Sequence, residues 1–309
     1  MAKIRMELEN ELTFEEGCEE YLQDCKARNL RQGTIKHYTD TMKQIKKYIG
    51  ADTLVKDITK EVVEDYIIEL RENPVINDQS LYTYVRDLRT LLYFFMRKEY
   101  MQYYKINIPK ADKQPIETYT DRELKILLKK PNVKQCSFTE YKTWVMINFL
   151  LSTGIRKNSL INVKIKDVDF DADVVHINVT KNRKPLIIPL NSDIKKILQE
   201  YMKYRKGAAE DYLFCNVFGG QVGHSSIYHQ MYEYNKNRGI EKTGMHRYRH
   251  TFAKKWVTMG GNVVTLQKIL GHSSLAITQN YLNILISDMK KDVDEFNILR
   301  EFKRESIKL

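Results

Sequence analysis

The sequence predicts a mainly α protein in two domains, with a small antiparallel β-meander in the second. Three observations carry this. Helical periodicity runs through residues 13–104. A stretch with two prolines and no period follows it. The pattern then switches to short alternating or β-branched runs near 163–190, before helical periodicity returns to the C-terminus. A chain of 309 residues is also long for one core and suits two.

In the N-terminal part, four helices are expected. The first opens on Thr13 and Glu16, a capping-box pair, and carries Phe14, Cys18, Leu22 and Cys25 on one face. The second carries Ile35, Tyr38, Met42, Ile45 and Ile49. The third follows Thr59, carries Val62, Tyr66 and Leu70, and is stopped by Asn73-Pro74. The fourth carries Leu81, Tyr84, Val85, Leu88, Leu92 and Phe95. This places an N-terminal helical domain over 12–106 and a linker over 107–117, where Pro109 and Pro115 interrupt any period. The second domain takes 118–309. It opens on another capping box, Thr120 to Glu123, and continues through a long apolar helix near 139–152. Runs at 163–170, 174–179 and 186–190, separated by turn residues, predict three strands. Breaks near Gly219-Gly220, Gly260-Gly261 and Gly271 divide the helical remainder.

Composition narrows the function classes. Hydrophobic residues make up 42%, enough for packed cores. The net charge is +11, and the excess lies in residues 111–309, with 33 Lys+Arg against 21 Asp+Glu. Such a balance suits a polyanionic partner, nucleic acid or an acidic membrane surface. Residues 1–12 are acidic and lack the apolar core of a signal peptide, and the run around Trp144–Leu151 is too short to span a bilayer. No membrane association is expected. Four cysteines without a C-x-x-C pair make no disulfide framework, so a reducing, cytoplasmic setting is expected.

Three segments place polar residues where a plain helix would not. In Ser152-Thr-Gly-Ile-Arg156-Lys-Asn-Ser-Leu160 an apolar helix ends at a glycine and an arginine follows; taken alone, this reads as a helix cap with a solvated side chain. In Met245-His246-Arg-Tyr-Arg249-His250-Thr-Phe-Ala253, His246 and Arg249 share a helix face. Zinc binding by His246 and His250 would need a Glu between them and a third ligand, and neither is evident; a basic helix lying on DNA is the plainer reading. In Leu270-Gly-His272-Ser-Ser-Leu-Ala-Ile-Thr-Gln-Asn-Tyr281, a tyrosine follows a histidine at nine residues; among 20 tyrosines it would ordinarily be a packing residue.

Together and in this order, the three segments resemble the catalytic signature of the tyrosine recombinases, the phage integrase family. The resemblance covers the catalytic half directly and the N-terminal helices only through layout. It implies a SAM-like, four-helix DNA-clamping domain before a tyrosine-recombinase catalytic domain. It implies a site-specific recombinase with Arg156, His246, Arg249 and His272 around a scissile phosphate and Tyr281 as nucleophile. It also implies a catalytic lysine in the β-hairpin loop, Val179-Thr-Lys181-Asn-Arg-Lys184-Pro-Leu-Ile-Ile-Pro-Leu190. Counting back from Ile188-Pro-Leu gives Lys181, with Lys184 as its rival and a candidate DNA contact. Two positions depart from the family pattern: Asn182 stands where glycine is usual, and Ser159 where glutamate is frequent.

The residue types suit phosphoryl transfer. A phosphodiester is anionic, and arginine forks onto its oxygens where lysine cannot. The resemblance implies a covalent 3′-phosphotyrosyl link that conserves bond energy, so no cofactor and no metal are expected. The sequence agrees, with no Walker-type loop and no clustered carboxylates. Lys36, Lys43, Lys46, Lys47, Arg86, Arg89, Arg97 and Lys98 are candidate phosphate contacts of the N-terminal domain, each weighed against a merely solvated helix face. The expected partner is double-stranded DNA, with self-association into a tetrameric synapse through a C-terminal tail helix near 287–309 that carries Val293, Phe296 and Leu299. Binding at simple core sites is expected, and a directionality factor would be an added partner. Type IB topoisomerase activity and catalytically silent DNA binding are the competing readings.

Overall fold

Backbone amides at a helix start have no intrahelical acceptor, and in this chain side chains supply many of them. In the computed structural model, which describes residues 12–111, 117–275 and 278, both predicted capping boxes form. Thr13 starts α1 (Phe14–Ala27), followed by α2 (Gln32–Ile49), α3 (Lys60–Glu72) and α4 (Asp78–Arg97), the last capped by Asn77. Their inward stripes form one core in which Phe14, Cys25, Val85, Leu88, Leu92 and Phe95 are fully buried. Ile106 is buried in this same core and Ile108 packs against it, so the chain stays bound to the N-terminal unit past the end of α4. The chain divides into two compact units between Pro115 and Ile116.

Near the start of the second unit, the Tyr119 amide donates to Thr251 Oγ1 at 2.9 Å. After α5 (Asp121–Leu127) comes α6 (Phe138–Thr153), capped by Ser137. Helix α6 is apolar nearly all round, as suits a helix buried on all sides. Trp144, Val145, Met146, Ile147, Phe149 and Leu150 are all in the core. Lys142 is buried too, and its Nζ donates to the Cys215 carbonyl at 2.7 Å. Burial lowers its pKa.

The short α7 (Lys157–Leu160) leads to a three-stranded antiparallel sheet in the order β1 (Val168–Asp169), β2 (Val174–Ile177), β3 (Leu186–Pro189). Val168 pairs with Val175, and Val175 with Ile188. The meander is as expected, but its first strand is far shorter than 163–170. Asp167 accepts from the Lys164 amide at 2.8 Å and curls Ile165–Asp167 into a 3-10 turn. Four helices complete the described chain: α8 (Ser192–Arg205), α9 (His224–Lys236), α10 (Met245–Thr258) and α11 (Val263–Leu270). Helices α8, α9 and α10 all pack on α6. None of the described helices is long and apolar enough to cross a membrane.

Candidate functional site

The position of α10 is fixed by a buried polar network on its inner side. Tyr248 donates through its hydroxyl to Asn235 Oδ1 at 2.7 Å, and Asn235 Nδ2 donates to the Tyr119 hydroxyl at 2.9 Å and to the Lys242 carbonyl at 2.8 Å. The Tyr119 and Tyr248 rings lie 4.7 Å apart. With Tyr248 turned inward, Arg249 points from the same helix toward the end of α6. There Gly154 caps the helix in the left-handed conformation, φ +61°. A Cβ at this position would stand 2.9 Å from Leu270 Cδ2 and closer still to the Phe252 ring. The glycine thus permits both the turn and the approach of α10 and α11 to it.

Two arginines meet at this junction. Arg249, 4% exposed, donates to the Gly154 carbonyl at 2.7 Å and to the Leu270 carbonyl at 2.9 Å. Arg156, one residue before α7, donates to the same Leu270 carbonyl at 3.2 Å. His272 follows Gly271, the left-handed cap of α11, and its Nε2 lies 2.8 Å from Arg249 Nη2. A cleft of roughly 540 Å³ opens here, with Arg156, Lys184, Arg249, Lys268 and His272 among its walls. None of the described residues lining it is acidic. Two guanidiniums and two lysines are therefore brought together without a neighbouring carboxylate in the wall, an arrangement that favours an anionic ligand.

His246 is the second residue of α10 and faces solvent. Partial desolvation of its ring, then the charges of Arg249, Lys157 and Arg156, lower its pKa. Its neighbour His250 is pushed down to about 4 by burial, then by His246, Arg249 and Arg247. His272 is also pushed down to about 4, by burial and then by Arg249 and Arg156. Among the described residues no three His, Cys, Asp or Glu side chains gather as a metal site.

The hairpin between β2 and β3 borders the cleft. Lys184 is one of the lining residues and Lys181 is not, although both are exposed on the same turn. The two departures from the family pattern turn out to be the residues that moor this loop. Ser159 Oγ donates to the Val179 carbonyl at 2.8 Å, and Asn182 Nδ2 donates to the Gly271 carbonyl at 3.3 Å. Thr180 closes the turn by donating to the Lys184 carbonyl at 2.7 Å. Sequence reasoning missed these ties, since a hydroxyl three residues after an arginine has no distinctive signal of its own. Tyr281 and the proposed tail near 287–309 lie outside the described residues.

The candidate phosphate contacts of the N-terminal unit are more varied. Lys36 pairs with Asp40 at 3.4 Å, Lys46 with Glu15, Arg86 with the buried Asp87 at 2.8 Å, and Lys98 with Glu20 at 3.6 Å. Arg89 lies over Tyr93, and Arg97 and Lys98 over Phe94. Lys47 donates to Gln44 at 3.0 Å; Lys43 and Lys47 are both exposed.

A sequence profile of the phage integrase family matches residues 117–287, and one of the phage integrase SAM-like domain matches residues 13–110. The chain is 27% identical over 266 residues to the tyrosine recombinase XerA of Saccharolobus solfataricus, covering 84% of this chain and 85% of that one. It is 26% identical over 271 residues to the tyrosine recombinase XerC of Leptospira interrogans, covering 85% and 87%. Its fold is similar to that of a lambda integrase dimer bound to a core site, with a TM-score of 0.72 at 16% identity over 87% of this chain and 95% of that one. It is also similar to the Tn1549 transposon integrase in complex with a circular intermediate DNA, with a TM-score of 0.71 at 20% identity over 91% and 99%.

Proposed function

Because the chain belongs to the phage integrase family of tyrosine-type site-specific recombinases, we propose that it cuts and rejoins DNA strands through Tyr281, by way of a covalent 3′-phosphotyrosyl intermediate. The observation that carries this reading is the convergence of Arg156 and Arg249 on the Leu270 carbonyl, with His272 against Arg249. A scissile phosphate entering this cleft would take guanidinium hydrogen bonds now given to neutral carbonyls. Those donors are fixed before the reaction begins, which is the arrangement that stabilises charge developing on the phosphoryl oxygens.

A free tyrosine has a pKa of about 10. Two guanidiniums beside the Tyr281 hydroxyl would lower that value and favour the phenolate. Its oxygen attacks phosphorus, the bond to the 5′-oxygen breaks, and that oxygen leaves with a proton from a lysine of the hairpin loop. Lys181 and Lys184 are the two candidates; the place of Lys184 in the cleft wall supports it. His246 and His272 either donate to the phosphate or take the tyrosine proton. The reverse sequence, with a 5′-hydroxyl attacking the phosphotyrosine, rejoins the strand. The N-terminal helices clamp the duplex, and four protomers assemble with two duplexes through the tail near 287–309. Deleting that tail should weaken multimer formation on DNA more than single-site binding, and equal losses would contradict its role.

The test is a nicked suicide duplex carrying a core site, resolved on denaturing gels for wild type and Tyr281→Phe. A protein–DNA adduct formed by wild type alone is expected. An adduct formed by both would place the nucleophile elsewhere.

A further inference from the structure

His272 is gripped from both sides of its ring. Arg249 Nη2 lies 2.8 Å from Nε2, and Thr278 Oγ1 lies 2.8 Å from Nδ1. All three groups are enclosed: Arg249 is 4% exposed, His272 9% and Thr278 0%. The direction of each bond follows from chemistry. A guanidinium has five donors and no acceptor, so the bond at Nε2 runs from Arg249 to the histidine. Nε2 therefore carries no proton. A neutral imidazole keeps its one ring proton on the other nitrogen, so Nδ1–H donates to the Thr278 hydroxyl. The ring is neutral at ordinary pH, because burial and then the Arg249 and Arg156 charges push it down to about 4.

We infer that Thr278 is a positioning residue: by accepting the Nδ1–H that the Arg249 bond leaves on the ring, it holds the His272 imidazole in place, and it ties this histidine to the chain three residues before Tyr281. The opposite tautomer would set an N–H on the ring against an N–H of Arg249 and leave two donors facing each other. Thr278 also serves the charged ring. If a phosphate draws Arg249 away and Nε2 takes up a proton, Nδ1–H still donates to the same hydroxyl. The threonine thus supports both the resting and the protonated histidine, while Arg249 alone excludes the wrong neutral form, since a hydroxyl could equally donate to a bare Nδ1. The tautomer assignment stands on geometry alone. Its consequence for cleavage rests on the proposed role of Tyr281.

The experiment uses the full chain with ¹⁵N-labelled histidine. Long-range ¹H–¹⁵N correlation separates protonated from unprotonated ring nitrogens, and His272→Gln identifies the His272 signals among those of the 7 histidines. Wild type and Thr278→Ser should both show a protonated Nδ1 and a bare Nε2. Thr278→Val, which keeps the shape and loses the acceptor, should keep the bare Nε2 that faces Arg249 but shift the Nδ1 and Nδ1–H signals away from their hydrogen-bonded positions. Single-turnover cleavage of a suicide duplex should fall about 10- to 100-fold in the valine variant, with serine restoring most of it and DNA affinity nearly unchanged. A protonated Nε2 in wild type overturns the inference, whether or not the valine variant folds. Unchanged Nδ1 signals and an unchanged rate in a folded Thr278→Val overturn it as well. Failure of the catalytic reading looks different: Tyr281→Phe would still form an adduct while Thr278→Val altered the Nδ1 signals as expected.

Discussion

The two arginines of the cleft and several cations of the N-terminal helices make different kinds of contact. In the cleft, Arg156 and Arg249 donate to the carbonyls of Gly154 and Leu270. On the N-terminal helices, Lys36, Lys46, Arg86 and Lys98 face Asp40, Glu15, Asp87 and Glu20. A carbonyl orients a guanidinium and leaves its charge intact. A carboxylate orients it and neutralises it. The exposed pairs of this second kind, such as Lys36–Asp40, contribute about 0.2–1 kcal/mol each and are weakened by salt. An arginine as enclosed as Arg249 keeps a strong field for an incoming anion. The first arrangement suits a site that must stabilise a transition state, the second a surface that meets a long phosphate backbone through many weak contacts.

The hairpin lysines sharpen this contrast, and the largest effect is expected there. A general acid contributes typically 10²- to 10⁴-fold. The alanine variant of the true acid should lose rate on that scale, and a substrate with sulfur in place of the 5′-bridging oxygen should restore it, since a thiolate leaves without a proton. Because Lys184 lines the cleft, Lys184→Ala is expected to be the rescued variant. Rescue of Lys181→Ala instead would return the role to the residue that counting back along the strand selects.

Two glycines extend the comparison to the backbone. Gly154→Ala places a methyl against Phe252 and Leu270 at φ +61°, and should destabilise the catalytic unit by roughly 2–4 kcal/mol. In α2, a methyl on Gly33 would meet nothing within 4 Å, so Gly33→Ala should stabilise by about 0.4–1 kcal/mol. Denaturant titrations of the two variants check both signs, and similar losses at both positions would mean that the junction is looser than its contacts imply.

Two histidines of the catalytic unit give a pH signature. His250 and His272 are both depressed to about 4 from the ordinary 6.5. Between those values the unfolded chain binds protons that the folded domain excludes. Stability should be full above pH 6.5 and fall as pH drops toward 4. His250→Gln should flatten the fall in melting temperature, and a melting temperature that rises on acidification would contradict the assignment.

The smallest effects belong to the N-terminal surface. Lys43→Ala and Lys47→Ala should each lower DNA affinity a few-fold and reduce the salt slope by about one, with no change in the cleavage rate of saturated complexes. A change in that rate would move these lysines from clamping toward catalysis.

Much of this was legible in the sequence because local rules and global structure agree. Thr13–Glu16 and Thr120–Glu123 both form the boxes their spacing implies. The inward faces of α1, α2 and α4 match the predicted stripes. Gly154 and Gly271 cap helices beside Arg156 and His272, as the motifs suggest. What was hidden depends on contacts between distant segments. The first strand is cut short by one side chain, Asp167. The choice between Lys181 and Lys184 depends on which side of a tight turn faces the cleft. Thr278 stands six residues from His272, a spacing that marks no helical face, and only folding brings its hydroxyl to the ring.

The role proposed for Arg156 and Arg249 is to act on the phosphate as it reacts. Its most direct test is single-turnover cleavage by Arg249→Lys and Arg156→Lys, with DNA affinity measured in parallel. Lysine keeps the charge and loses the fork. Cleavage should slow by about 10²- to 10³-fold at each position while affinity stays within a few-fold. Cleavage at the wild-type rate, or a loss matched by an equal loss of affinity, would contradict that role.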